Sequence, residues 1–152
     1  MAATFINKMP DISYLITPFV AWLSAGIIKF AINSIKARKL AFNLIGYGGL
    51  PSNHSAIVSS IAALIAFKQG IENPAFGVAV ALAFVVMLDA NSLRKQVGKQ
   101  AELINRLSVS TRLTNHVPLR ERMGHSKMEI IAGILVGIAI AALIHFILPA
   151  KS

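Results

Sequence analysis

The 152-residue chain has no cysteine and few charges. Without thiols, disulfides and thiolate metal sites are excluded and the redox compartment is unreadable. Charged residues make up 14% of the chain and hydrophobic ones 55%, with a mean hydropathy of +0.66. A soluble domain carries about 25% charge, so the balance is that of a membrane protein. Acids are scarcer than bases: 6 Asp and Glu against 15 Lys and Arg, a net charge of +9. In so apolar a chain this excess points to cytoplasmic loops and anionic headgroups, and no nucleic-acid partner is expected. Leader features are missing too. Only Lys8 precedes the first apolar run, Asp11 follows it, and Ile12–Phe30 is longer than a signal core, so a retained membrane helix is expected. No acid or base lies mid-span, which weighs against a small transporter or channel subunit.

What is present is four apolar segments: Ile12–Phe30, continuing to about Ile35 as a basic end, then Ser55–Phe67, Ala75–Leu88 and Ile130–Leu148. Spanning takes about 20 residues, so the first and last qualify. The middle two need extension to Ser52–Gln69 and Asn73–Ala90, and could instead form a re-entrant pair. Gln69–Pro74 between them is a compact helix-breaking turn. Gly133 and Gly137, four apart, form a small-xxx-small pattern that favours close packing within the monomer over a dedicated dimer interface. The length allows one domain, residues 1–152, expected to be all-α: about four transmembrane helices plus an amphipathic interfacial helix in the 91–129 loop.

With four spans, loops 36–50 and 91–129 share one side. They hold Lys36, Arg38, Lys39, Arg94, Lys95, Lys99, Arg106, Arg112, Arg120, Arg122 and Lys127, 11 of the 15 basic residues. By the positive-inside rule that side is cytoplasmic and both termini lie outside. Within the longer loop, Leu93, Val97, Ala101, Ile104 and Leu107 recur at helical spacing beside Arg94, Lys95, Lys99 and Arg106. This predicts a continuation of the third helix or a basic helix in the headgroup layer. Ser108–Pro118 reads as irregular.

The same side collects the chemistry. Gly48-Gly49-Leu50-Pro51-Ser52-Asn53-His54-Ser55-Ala56 opens the second span, a helix N-terminus suited to phosphate. Asp89, Arg94 and Lys95 close the third, His125 and Glu129 open the fourth, and Lys36 ends the first. Two histidines, carboxylates and cations at one membrane face suit phosphoryl transfer. Arg and Lys hold non-bridging oxygens, a neutral histidine attacks phosphorus, and a second, protonated, serves the leaving group. His125 and Glu129, at i and i+4, share a helical face.

These residues resemble the divergent branch of the type-2 phosphatidic acid phosphatase family, related to bacterial acid phosphatases and vanadium haloperoxidases. That superfamily carries Lys-x6-Arg-Pro, Pro-Ser-Gly-His and Ser-Arg-x5-His-x3-Asp. Pro51-Ser52-Asn53-His54 matches the second with Asn53 for Gly, and His125-x3-Glu129 matches the end of the third with Glu for Asp. Lys29-x6-Lys36 is a degraded first motif with Ala37 for Pro. The third-motif arginine is out of register: Leu119 stands in its place and Arg120 is one residue too close to His125. The divergent branch shows Gly-Gly-x-Pro-Ser-x-His-Ser-Ala, Asp-Ala-x-x-x-Arg-Arg-x-x-Gly-x-Gln-Ala and Arg-Glu-x-x-Gly-His-x-x-x-Glu. Here stand residues 48–56; Asp89-Ala90 with Arg94-Lys95, Gly98, Gln100 and Ala101; and Arg120-Glu121, Gly124-His125 and Glu129.

The resemblance implies His125 as nucleophile, Glu129 as its orienter and His54 as general acid. It implies Ser52 with the backbone N–H groups of Asn53 and His54 as a phosphate cradle. Arg94 and Lys95 form the cationic clamp, with Lys29, Lys36, Arg120 and Asp89 as further site residues, and no metal or other cofactor is needed. Plainer roles stand beside these. Ser52 can cap a helix. Ser126-x-x-Glu129 is a capping-box pattern. Asp89 can pair with Arg94 or Lys95, and Lys29 can snorkel to the headgroups. His116 reads as solvated and His145 as a packed or interfacial side chain. The expectation is a membrane phosphatase acting on a lipid phosphomonoester or polyprenyl diphosphate through a phosphohistidine, in a bacterial plasma membrane. A homodimer is an expected assembly. A phosphotransferase using the same site and a silent lipid-phosphate-binding scaffold are the alternatives.

Overall fold

The computed structural model describes residues 11–40, 49–111 and 117–149; Lys8, Tyr47, Gly48, Arg112, His116 and Lys151 lie outside them. Regular structure among the described residues is helical throughout: α1 Ser13–Ala37, α2 Asn53–Gln69, α3 Pro74–Asn91, α4 Leu93–Ser110 and α5 Lys127–Ile147. Local chemistry sets the starts. Ser52 caps α2 by accepting from the Ser55 N–H at 3.3 Å. Asn73 caps α3 with Pro74 just inside it, where its missing N–H costs nothing. Ser126 and Glu129 form a complete capping box on α5.

α2 is the centre of the bundle and packs on α1, α3 and α5. The packing reverses that of a soluble protein. Small residues fill the interior: Ala21, Ala25, Ala56, Ala62, Ala79, Ala83 and Ala141 are all buried. Large ones point outward, with Leu15 67%, Phe84 63% and Phe146 80% exposed. Lipid solvates such side chains as well as a protein interior does, so close backbone approach holds the helices together. Gly133 and Gly137 provide it within the chain, as expected. A Cβ on Gly133 would strike the Ser52 carbonyl, and one on Gly137 would strike Ser59 Oγ and lie 2.5 Å from the Ala56 carbonyl. Buried hydroxyls on these faces bond back to their own helices: Ser59 to Ser55 O at 2.6 Å and Thr17 to Ser13 O at 2.7 Å.

Three stretches are long and apolar enough to cross a membrane: α1, the Pro74–Ser110 run and α5. α2, at 17 residues, is shorter. It nonetheless runs the depth of the bundle, which argues for a fourth traversing helix over a re-entrant hairpin. Its first residue is preceded by Ser52, whose N–H bonds Glu129 O at the start of α5 at 2.8 Å. At its other end, Lys68 Nζ donates to Asp11 Oδ2 at 2.8 Å and to Ser13 Oγ at 2.9 Å, before and at the start of α1. Hydrogen bonds from Lys68 first and Ser13 second hold the Asp11 carboxyl down to about 2. α4 extends to Ser110, past the point where Ser108–Pro118 was expected to turn irregular. Leu93, Val97, Ile104 and Leu107 form its exposed apolar stripe, while Gly98, Ala101 and Ser108 on the adjoining strip are buried.

Because α5 rides on α2 through its glycines, replacing Gly137 by Val should overpack the contact. A loss of about 1–3 kcal/mol is the usual scale. Thermal unfolding in detergent should show a clearly lower midpoint for Gly137→Val, and a much smaller change for Gly77→Ala, where nothing lies within 4 Å.

Candidate active site

Glu129 joins the two histidine-bearing elements. Its backbone carbonyl accepts from Ser52 N–H at 2.8 Å, fixing the start of α2 against the start of α5. Its carboxylate Oε2 accepts from the Ser126 N–H at 2.9 Å and meets His125 Nδ1 at 3.2 Å. Capping and orienting therefore fall to a single oxygen, and the two roles weighed for Glu129 coexist. Facing a carboxylate, Nδ1 carries the imidazole proton, which leaves the Nε2 lone pair free. His125 is buried, 8% exposed. Burial holds it below the ordinary 6.5 despite the opposing hydrogen bond and charge of Glu129. It is accordingly neutral at pH 7.

His54, in the first turn of α2, lies beside it, ring centroids 6.1 Å apart and planes tilted by 57°. The two environments differ: His54 Nδ1 is buried without a hydrogen-bond partner, so only Nε2 is offered to a ligand. Asn53 reaches from the same turn to Trp22 O at 3.5 Å, and its Oδ1 is also buried and unpartnered. Ser52 is fully buried, and its hydroxyl takes up the Ser55 N–H and the Ser55 hydroxyl, the latter at 3.1 Å. It thus builds the helix start and does not offer its hydroxyl outward.

Two cations act on the pair. Lys29 of α1, half-buried, acts electrostatically on Glu129 and on both histidines. α1 continues past Lys29 for two turns. Arg94 also acts on both rings, and its Nε is held by Asp89 Oδ2 at 2.8 Å. That pairing resolves the role left open for Asp89. Other expected members stand apart. Lys36 is exposed in the last turn of α1 and about 10 Å beyond Lys29 along the axis. Lys95 is exposed and donates to Asn91 Oδ1 at 3.0 Å. Arg120 is exposed on the segment leading to His125.

That segment runs back along α4. Asn105 brackets Leu119, accepting from its N–H and donating to its carbonyl at 2.8 Å each, and donates to Glu121 Oε1 at 2.8 Å. Gly98 lets Glu121 O approach the helix, and a Cβ on Gly124 would come within 3.1 Å of Ala90 O. His125 N–H then bonds Ala90 O at 2.9 Å. Asn105 escaped the sequence reading because it lies in none of the quoted motifs. A signal exists in the small and polar stripe Gly98, Ala101, Asn105, Ser108 on one face of α4. An apolar groove of about 530 Å³ between α2, α3 and α5, lined by Ala62, Ala63, Ala66 and Ile138, is separate from the site. Ala63 follows His54 by nine residues, roughly half a turn away around α2 at about 100° per residue.

Fold and geometry define a helical membrane protein with paired histidines at one end of its bundle. The profile of the Divergent PAP2 family matches residues 11–140, and the chain belongs to that family. It is 31% identical over 147 residues to the "Uncharacterized membrane protein YuiD" of Bacillus subtilis (strain 168), covering 87% of this chain and 93% of the relative. No solved structure matches the chain.

Replacing Glu129 by Gln keeps the capping box, which accepts either residue, but removes the charge facing His125. The carboxylate favours protonated imidazole, so its loss should move the His125 titration further down, from a value already below 6.5. Imidazole ¹⁵N chemical shifts followed against pH, in a chain with four histidines, measure this directly.

Proposed function

We propose that the protein is a membrane lipid phosphatase that hydrolyses a phosphomonoester or diphosphate on an amphiphile through a phosphohistidine. The carrying observation is the unequal pair: His125, buried, neutral and oriented by Glu129, within 6.1 Å of His54, which has no orienting partner. The oriented imidazole suits attack, and His54 is the second imidazole within reach to serve the departing oxygen.

In this reading His125 Nε2 attacks phosphorus, forming the N–P bond as the ester P–O bond breaks. The departing oxygen takes a proton from His54. His54, now neutral, deprotonates a water that attacks the phosphohistidine, the N–P bond breaks, and phosphate leaves. Lys29 and Arg94 hold the non-bridging oxygens, Asp89 keeps the guanidinium aimed, and the N–H groups at the start of α2 add the helix dipole. The positive-inside rule puts this face toward the cytoplasm, where the basic loops meet the headgroups and the alkyl tail stays in the bilayer.

His125→Ala and His54→Ala should each lower lipid-phosphate hydrolysis by about 10²-fold or more. An aryl phosphate, whose phenolate leaves without protonation, should restore much of the rate to His54→Ala and none to His125→Ala. Because His125 reacts neutral, kcat/KM should fall on the acid side only below 6.5. Equal hydrolysis by wild type and both variants would discard the mechanism. An alcohol acceptor that diverts phosphate from water would mark the phosphotransferase instead.

A further inference from the structure

The segment Leu119–His125 runs from the far part of α4 back to the nucleophile. Its two anchors are Leu119 on Asn105 and His125 on Ala90. Between them the strap is folded, not extended: Met123 N–H bonds Glu121 O at 2.9 Å and Gly124 takes a positive φ of 84°. Glu121 and Gly124 both lie against the α3–α4 backbone, so a displacement at Leu119 is passed through them to His125.

Gly98 admits the Glu121 carbonyl, and Lys95 packs beside Gly124. Polar fastening at the distal end belongs to Asn105, whose amide takes both backbone groups of Leu119 and the Glu121 carboxylate. Only a side chain with donor and acceptor on one short stem can bracket a backbone unit in this way. Asn105 follows Gly98 by seven positions and Ala101 by four, on the strip of α4 that meets the segment.

We infer that Asn105 is a positioning residue: by fastening Leu119–Glu121 to α4 it sets where His125 stands against His54. This rests on the phosphatase reading for its effect on rate, but not for its effect on the imidazole.

Three variants test it in the full-length protein. Asn105→Ala removes the clamp. Asn105→Asp keeps its shape and acceptor but turns the donor toward Leu119 O and Glu121 into a repelling oxygen. Leu119→Pro deletes the donated N–H from the strap side and leaves α4 untouched. In each, kcat for lipid-phosphate hydrolysis should fall about tenfold or more, with KM changing less than threefold. The His125 ¹⁵N titration should rise toward 6.5 as burial is lost, while the His145 signal, at the far end of α5, stays put and reports an intact bundle. A His145 signal that moved with His125 in all three variants would overturn the inference, since Asn105 would then be holding up the fold. So would a wild-type His125 titration in Asn105→Asp and Leu119→Pro. If the wild type turns over no phosphate ester while the titration shifts as stated, the phosphatase reading fails and the strap survives.

Discussion

The contact between Glu129 and the residues around it governs this molecule. One backbone carbonyl holds Ser52, and one carboxylate oxygen holds both the Ser126 N–H and His125. Helix capping, the docking of α5 on α2, and the tautomer of an imidazole are therefore a single local arrangement. Such economy follows from the setting. Near the bilayer an unpaired backbone N–H is costly, so the first turn of a helix must satisfy its donors from its own side chains. A carboxylate that does so is rigid, and a rigid carboxylate can orient a histidine.

That arrangement needs close helices, and the helices come close because their faces are small. Gly133 and Gly137 bring α5 against the Ser52 and Ala56 carbonyls, and alanine and serine are frequent among the other buried residues. In lipid there is no hydrophobic gain from burying leucine against leucine, so dispersion at short range and interhelical polar contacts set the packing. The second polar knot, Lys68 with Asp11 and Ser13 at the other end of α2, pins α1 at its beginning. With both ends of α2 tied, Lys29 on α1 comes within electrostatic range of Glu129 and the histidines.

Much of the fold was legible in the chain because each element advertises itself locally. The apolar runs, the Asn73-Pro74 start, the Ser126-x-x-Glu129 box and the glycine pair all act over one or two turns. The histidines and Glu129 were legible for a further reason: with four traverses, alternate loops must share a face. The cations were not. Lys29, Lys36, Arg94 and Lys95 share one charge and differ only in where their stems point. Lys36 is two turns too far along α1, and Lys95 is engaged by Asn91. Asn105 was invisible because its partners, the Leu119 backbone and the Glu121 carboxylate, lie 14 and 16 positions on, in a stretch with no periodicity.

By itself the sequence determined that the chain is helical, membrane-embedded and basic on one face, and that His54, His125 and Glu129 gather at that face. These follow from hydropathy, charge and spacing, which act along the chain. Only the tertiary structure decided that one Glu129 oxygen both caps and orients, that Asp89 holds Arg94, and that a strap on α4 delivers His125. Those depend on distances of about 3 Å between residues remote in order, and a distance of that size is set by packing rather than by composition.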